Sequence, residues 1–166
     1  VTVASASAVA TLPDGYALRV VNNSAALGDA LFVAVHQYLS EISYWAKGIP
    51  AETLSKAIDH SLSVVATRSI DGNVRLAGFA RIVSDRATYA YLCDVFVLPG
   101  DEKHGLAKAM LTAFDQHPDL QGLRRWMLMT RDAHSLYAKF GYEPLSDPAR
   151  VMARHDPDVY LRSAKP

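Results

Sequence analysis

Apolar residues follow a helical spacing early in the chain and an alternating one in its middle, and the switch sets the order of elements. YALRVV (16–21) predicts a first strand, and SAALGDALFVAVHQYLS (24–40) carries apolar residues at helical spacing behind Ser24, a candidate N-cap. GIPAETLSKAIDHS predicts a second helix, with Pro50 suited to its first turn. The period then shortens: SLSVVATRS (61–69), VRLAGFARIVS (74–84) and TYAYLCDVFVL (88–98), joined by the turns DGN and DRA, predict three successive antiparallel strands. A helix from about His104 to Gln116 follows, stopped by His117-Pro118. LRRWMLMT (123–130) predicts a fifth strand, DAHSLYAKF (132–140) a short helix between Asp132 as cap and Gly141 as stop, and ARVMARH a last strand. Such an order describes an α+β domain, a mixed sheet flanked by helices.

Length and charge narrow the class. The 166 residues fit one domain that can close a core without staples. Seventeen basic residues balance seventeen acidic ones, so no electrostatic footprint points to nucleic acid or an anionic membrane, and a small-molecule partner is expected. The single cysteine, Cys93, excludes an intrachain disulfide and a Cys-based zinc site and fits a reducing compartment, so a cytoplasmic location is expected. No run approaches the roughly 20 apolar residues of a membrane span. The histidines make no metal-spaced cluster with carboxylates, so no metal is expected. VTVASASAVATLPDG lacks the basic start of a signal peptide and reads as an extension.

Candidate chemistry gathers in two stretches. FVLPGDEKHGLAKAM (96–110) is a strand, a loop and a helix start, the geometry that offers a phosphate unpaired backbone N–H groups and the positive end of a helix dipole. Asp101 and Glu102 in that loop carry the wrong charge for such a ligand, while Lys103, His104 and Lys108 can offset it. The second stretch, TRDAHSLYAKFGYEPL, places Tyr137 on a short helix, where an aromatic either packs in the core or offers its hydroxyl as an acid. Asp94 on the DVFV strand either faces a cleft as a base or pairs with Arg81 on the adjacent strand. Cys93 and Asp94, as strand neighbours, are expected to face opposite ways, with Cys93 a small core residue.

The element order together with these two stretches resembles the GNAT family of acetyl-coenzyme A dependent N-acyltransferases, particularly small bacterial members with an SYW loop and a DVFV strand. The resemblance implies a mostly antiparallel mixed sheet flanked by helices, with residues 1–14 as an N-terminal extension, 15–156 as the domain and 157–166 as a tail. The family's acetyl-CoA motif, Arg or Gln, two residues, Gly, one residue, Gly or Ala, falls on Glu102, Lys103, His104, Gly105, Leu106 and Ala107. Glu102 stands where Arg or Gln is usual and Lys103 where Gly is common, so the pyrophosphate loop is degenerate. Main chain at Val95, Phe96 and Val97 is implied to pair with the pantetheine arm and hold the thioester carbonyl. The family's tyrosine motif is matched by Ala133, Leu136, Tyr137, Lys139, Gly141 and Tyr142, which makes Tyr137 the implied acid for the departing thiolate. Thr130 stands where the family often has Asn, and its hydroxyl can still hydrogen-bond the cofactor arm.

SYWAKGIP (43–50) would wall the acceptor site with Tyr44 and Trp45. The implied activity is acetyl transfer from acetyl-CoA to the primary amine of a small molecule in a ternary complex, with Asp94 or a water as base; the resemblance also allows a homodimer. The altered loop keeps a second reading open, a non-catalytic module of the same fold or one with another ligand.

Overall fold

The computed structural model describes residues 12–163, so most of the expected N-terminal extension and the last three residues lie outside the described part. Five strands form one sheet in sequence order: β1 (Tyr16–Val21), β2 (Leu62–Ile70), β3 (Asn73–Ser84), β4 (Tyr89–Val97) and β5 (Arg125–Leu128). β1 to β4 pair antiparallel and β5 joins β4 in parallel, so the α+β expectation and the mostly antiparallel mixed sheet both hold. The central strands fall within a residue or so of the predicted ones because alternation over nine to twelve residues leaves little choice of face. The turn between β2 and β3 is the two-residue Asp71-Gly72, both at positive φ, the tight hairpin form that Asp-Gly favours.

Helices cover both faces. α1 (Ser24–Leu27), α2 (Asp29–Gln37) and α3 (Ala51–Asp59) close one core with Val65, Leu76, Phe79 and Phe96 of the sheet. α4 (Leu106–Asp115) and Tyr137 of α5 (His134–Ala138) close the other with Val64, Ala80, Ile82 and Leu92. Gly78 of β3 lets this second layer sit close, because a Cβ there would lie 3.2 Å from Met110 Cε of α4, as well as 2.9 Å from the Phe96 carbonyl oxygen of β4.

Several local readings change. The helix expected over 24–40 is broken at Gly28, whose φ of 84° no helical residue adopts, and its N-cap is Asn23, which accepts from the Ala26 N–H at 2.7 Å. Ser24 instead donates to Asp59 and ties α1 to the end of α3. α2 runs into a π-turn over Tyr38–Ile42, where Ser43 N donates to Tyr38 O. Pro50 is the N-cap of α3 rather than a residue of its first turn. Asp132 does not cap α5; the Thr130 hydroxyl accepts from the Ala133 N–H at 3.1 Å instead.

The strand expected at ARVMARH is absent: the chain makes one 3-10 turn at Pro148–Arg150 and continues without ladder bonds. Its apolar pair Val151-Met152 breaks alternation, and Met152 is 94% exposed, so no face of this segment could be buried against β5. Residues 159–163 of the expected tail form α6 (Val159–Ser163), with Tyr160 packed against the α2–α3 core. Among the described residues no helix is long and apolar enough to cross a membrane.

Candidate functional site

The site begins with an irregularity in β4. Across β3 the register runs Gly78↔Val97 and Phe79↔Phe96 but then Arg81↔Cys93, so β4 spends one residue more than β3. That extra residue is taken up at Asp94, whose φ is 53°. The bulge reverses the faces of the strand: Ala90 and Leu92 point into the α4 core, whereas Phe96, also an even position, points into the α2 core and stacks on Tyr38 at 3.8 Å. Opposite orientation of Cys93 and Asp94 is therefore not what results, and both stand on the wall of one cleft.

That cleft opens where β4 and β5 part. Their pairing runs from Tyr89↔Arg125 to Leu92↔Leu128 and stops, while β4 continues to Val97. The gap, about 560 Å³, has Cys93, Asp94 and Val95 on one side, Thr130, Ala133 and Tyr137 on the other, and Tyr44 and Trp45 over it. Val97 lies further along β4, and Phe96 can reach the gap only by main chain because its side chain is buried.

The loop after β4 explains its own acidic residues. Asp101 is fully buried, and its carboxylate accepts from Tyr16 Oη at 2.8 Å, from both terminal nitrogens of Arg75 at 2.6 and 3.0 Å, and from Arg68 at 3.2 Å. Burial alone would raise this carboxyl, but the hydrogen bonds from Arg75 and Tyr16 and the Arg75 charge outweigh it and hold it below the ordinary range. Arg68 and Arg75 face each other across the β2–β3 ladder, a like-charge pair that Asp101 neutralises. Glu102 curls back to accept from the Gly100 N–H at 2.7 Å. The His104 ring leans on Tyr16 with its Nδ1 3.2 Å from the Asp101 carbonyl, and Lys103 and Lys108 are exposed.

Past these residues the backbone turns through Lys103 (φ 65°) and Gly105 (φ 77°) into α4. Gly105 is the N-cap and supplies no capping side chain, and no atom lies within 4 Å of where its Cβ would stand. The first-turn N–H groups at Leu106, Ala107 and Lys108 precede the first intrahelical bond, Ala109 N to Gly105 O, and so remain outside the ladder at an open helix end. Leu106, 1% exposed, anchors that end in the core.

Around Asp94 the side chains form a chain of contacts. Arg81 Nε donates to Asp94 Oδ2 at 2.7 Å, and Trp45 Nε1 donates to Asp94 Oδ1 at 3.0 Å. Burial would lower the Arg81 guanidinium, but the Asp94 charge more than offsets it and raises it. Arg81 therefore meets the cleft through Asp94 rather than as a wall of it, and its Nη1 reaches Ser61 Oγ at 3.3 Å. Tyr44 stands edge-on to Trp45 at 5.0 Å. The Tyr137 hydroxyl is raised by burial, with smaller pushes from Tyr44 and Asp132, so it stays protonated at neutral pH. Burial pushes the Cys93 thiol up to about 12. Lys139 is exposed at the end of α5 and away from the cleft wall.

Among the cleft residues outside both motifs are Arg131, whose guanidinium carbon lies 4.0 Å over the Tyr44 ring, Tyr91 of β4, and His155 from the irregular C-terminal segment. They come from separate stretches that only the fold unites. The Asp101 partners, by contrast, were open to detection, since the Asp71-Gly72 hairpin sets Arg68 against Arg75 and demands an anion.

A family model described as an acetyltransferase (GNAT) domain matches residues 59–144. A curated protein of Gibberella zeae, provisionally named an acetyltransferase, is 31% identical over 117 residues, 60% of this chain and 65% of that protein, so the chain spans just under two thirds of this relative. A crystal structure of a GNAT-family protein from Xanthomonas campestris pv. campestris is 43% identical, with a TM-score of 0.77 over 90% of this chain and 99% of that one. An aminoglycoside N-acetyltransferase solved with CoA shares the fold at 19% identity, with a TM-score of 0.58 over 85% of this chain and 94% of that one.

Proposed function

Because the chain belongs to the GNAT family of acetyltransferases, we propose that it transfers an acetyl group from acetyl-CoA to a primary amine of a small molecule by direct attack in a ternary complex. The observation that carries this reading is the parting of β4 and β5, which opens a cleft walled by Asp94, Val95 and the buried Tyr137, while the uncapped start of α4 follows the same strand. The residues present fit the cosubstrate. Gly105, Leu106 and Ala107 hold the pyrophosphate by backbone N–H groups and the α4 dipole, with Lys103, His104 and Lys108 at the rim. Main chain of Val95, Phe96 and Val97 pairs with the pantetheine arm along the free side of β4, and Thr130 and Ala133 border it from the turn that leads into α5. The two acidic residues of the loop do not oppose this, since Asp101 is turned inward and Glu102 is bound to Gly100.

Acetyl-CoA supplies an acetyl thioester open to attack by an amine. Tyr44 and Trp45 wall the acceptor side, with Arg81 fixing the carboxylate of Asp94 beneath them. A carboxylate oxygen keeps a lone pair beyond one hydrogen bond, so Asp94 takes the proton of the attacking nitrogen directly or through a water. As the C–S bond breaks, Tyr137 gives its proton to the sulfur, a task for which a neutral, buried phenol is suited.

The test pairs calorimetry with CoA and acetyl-CoA against steady-state thiol release with a panel of amines. Tyr137→Phe is expected to lower kcat by about 10²-fold or more, within the range of general acid catalysis, while CoA affinity holds within about threefold. Absence of binding at millimolar CoA overturns the reading, as does an unchanged kcat in Tyr137→Phe; binding without turnover of any amine favours a non-catalytic module.

A further inference from the structure

We propose that the acceptor amine carries a carboxylate and that Arg131 recognises it, an inference that rests on the acetyl-transfer reading and narrows its substrate. Besides Cys93 and three tyrosines, the cleft is lined by four acidic or basic side chains: Asp94, Arg131, Asp132 and His155. Asp94 cannot serve as an unmatched anion for a cationic acceptor. Arg81 cancels its charge at 2.7 Å, and Trp45 takes its other oxygen.

Arg131 is in the opposite position. Its guanidinium carbon sits 4.0 Å over the Tyr44 ring, and its nearest carboxylate, Asp132 Oδ2, is 4.0 Å away, with the two side chains 67% and 74% exposed. An exposed pair at that distance contributes little and leaves the donors unfilled. Among the described residues no hydrogen bond occupies the Arg131 fork. A guanidinium stacked on a ring keeps its N–H groups in its own plane and available at its edge, the arrangement that matches a carboxylate with two parallel hydrogen bonds.

Its position is also held. Arg131 stacks on Tyr44, Tyr44 rests on Trp45, and Trp45 is bonded to Asp94, so the fork is tied to the same framework that faces Tyr137. His155 lines the same cleft and can add a ring N–H. An amino acid or a close analogue, with amine and carboxylate on one small frame, has the chemistry this wall recognises.

The experiment measures kcat/KM of the full chain for a matched set: an amino acid, its methyl ester, its decarboxylated amine and the corresponding amino-alkyl phosphate. The acid is expected to exceed the ester and the decarboxylated amine by at least about tenfold, the size of a charged hydrogen-bond pair. Arg131→Gln should lower kcat/KM for the acid by about 10- to 100-fold, leave the decarboxylated amine within about threefold and keep the calorimetric Kd for CoA. Arg131→Lys should recover part of the loss, since it restores the charge without the fork. Equal or better use of the decarboxylated amine by the wild type overturns the proposal, as does preference for the phosphate or a weakened CoA Kd in Arg131→Gln. If CoA does not bind at all, the acetyl-transfer reading itself has failed; if CoA binds and simple amines turn over without preference for the acid, only this inference has.

Discussion

Asp101→Asn separates a structural carboxylate from one that faces the ligand. Asp101 is fully buried and takes four hydrogen bonds, two from Arg75, one from Arg68 and one from Tyr16. Each bond to a charged group is worth about 1.5–3 kcal/mol net, but the four are not additive and desolvation of the carboxylate offsets part of them. The arginines are 35% and 41% exposed, so water screens them once the anion is gone. Breaking a fully buried pair costs about 3–5 kcal/mol; after that discount the substitution should cost about 2–3 kcal/mol. For a domain of this size that lowers Tm by about 4–12 °C, read by differential scanning calorimetry.

The pH dependence has a definite sign. The folded carboxyl lies below its unfolded value of about 3.9. Its contribution is therefore complete above pH ~4 and is lost as pH falls through the folded value. The Tm gap between wild type and Asp101→Asn should hold at pH 7 and narrow below pH ~4. CoA affinity supplies the second readout. A carboxylate about 4 Å from a phosphate charge costs about 1 kcal/mol even in water, so a ligand-facing Asp101 would, on removal, tighten CoA binding by about fivefold or more. The inward carboxylate predicts an equal or weaker affinity. Tighter binding, or a Tm within about 1 °C of wild type at pH 7, would refute the assignment.

One further substitution and one label probe the same framework. Gly78→Ala sets a Cβ 2.9 Å from the Phe96 carbonyl oxygen and 3.2 Å from Met110 Cε. Backbone cannot give there, so thermal unfolding should show a loss of about 1–3 kcal/mol; an unchanged Tm would mean the α4 layer is not so closely seated. Cys93, pushed up to about 12, is almost wholly protonated at pH 8, so iodoacetamide should alkylate the native chain roughly 10³-fold more slowly than the guanidinium-unfolded one. Equal rates would contradict its burial.

The two chemical stretches were legible because each is local. A strand, a Gly-started helix and a tyrosine nine residues after the β5 strand are short-range patterns, and Gly105, Ala107 and Tyr137 appear as such in the chain. Ion pairing was only half legible. Asp94 could face a cleft or pair with Arg81, and the structure makes the pair while keeping Asp94 on the cleft wall, with Trp45 as a third member. Asp101 looked opposed to a phosphate because sequence gives its charge without its direction.

Sequence by itself determined the order of strands and helices from β1 to α5, apart from the break at Gly28, and the faces of β2 and β3, since alternation and helical spacing each bury one set of side chains and no other. Tertiary structure decided what those rules cannot express. The extra residue at Asp94 reverses the faces of β4 midway, a non-local event set by pairing with β3. The gap between β4 and β5 exists because pairing stops at Leu92↔Leu128, and Arg131 meets Tyr44 only across that gap. Contacts between residues 87 positions apart are fixed by the closing of the whole sheet and both helical layers, not by any period in the chain.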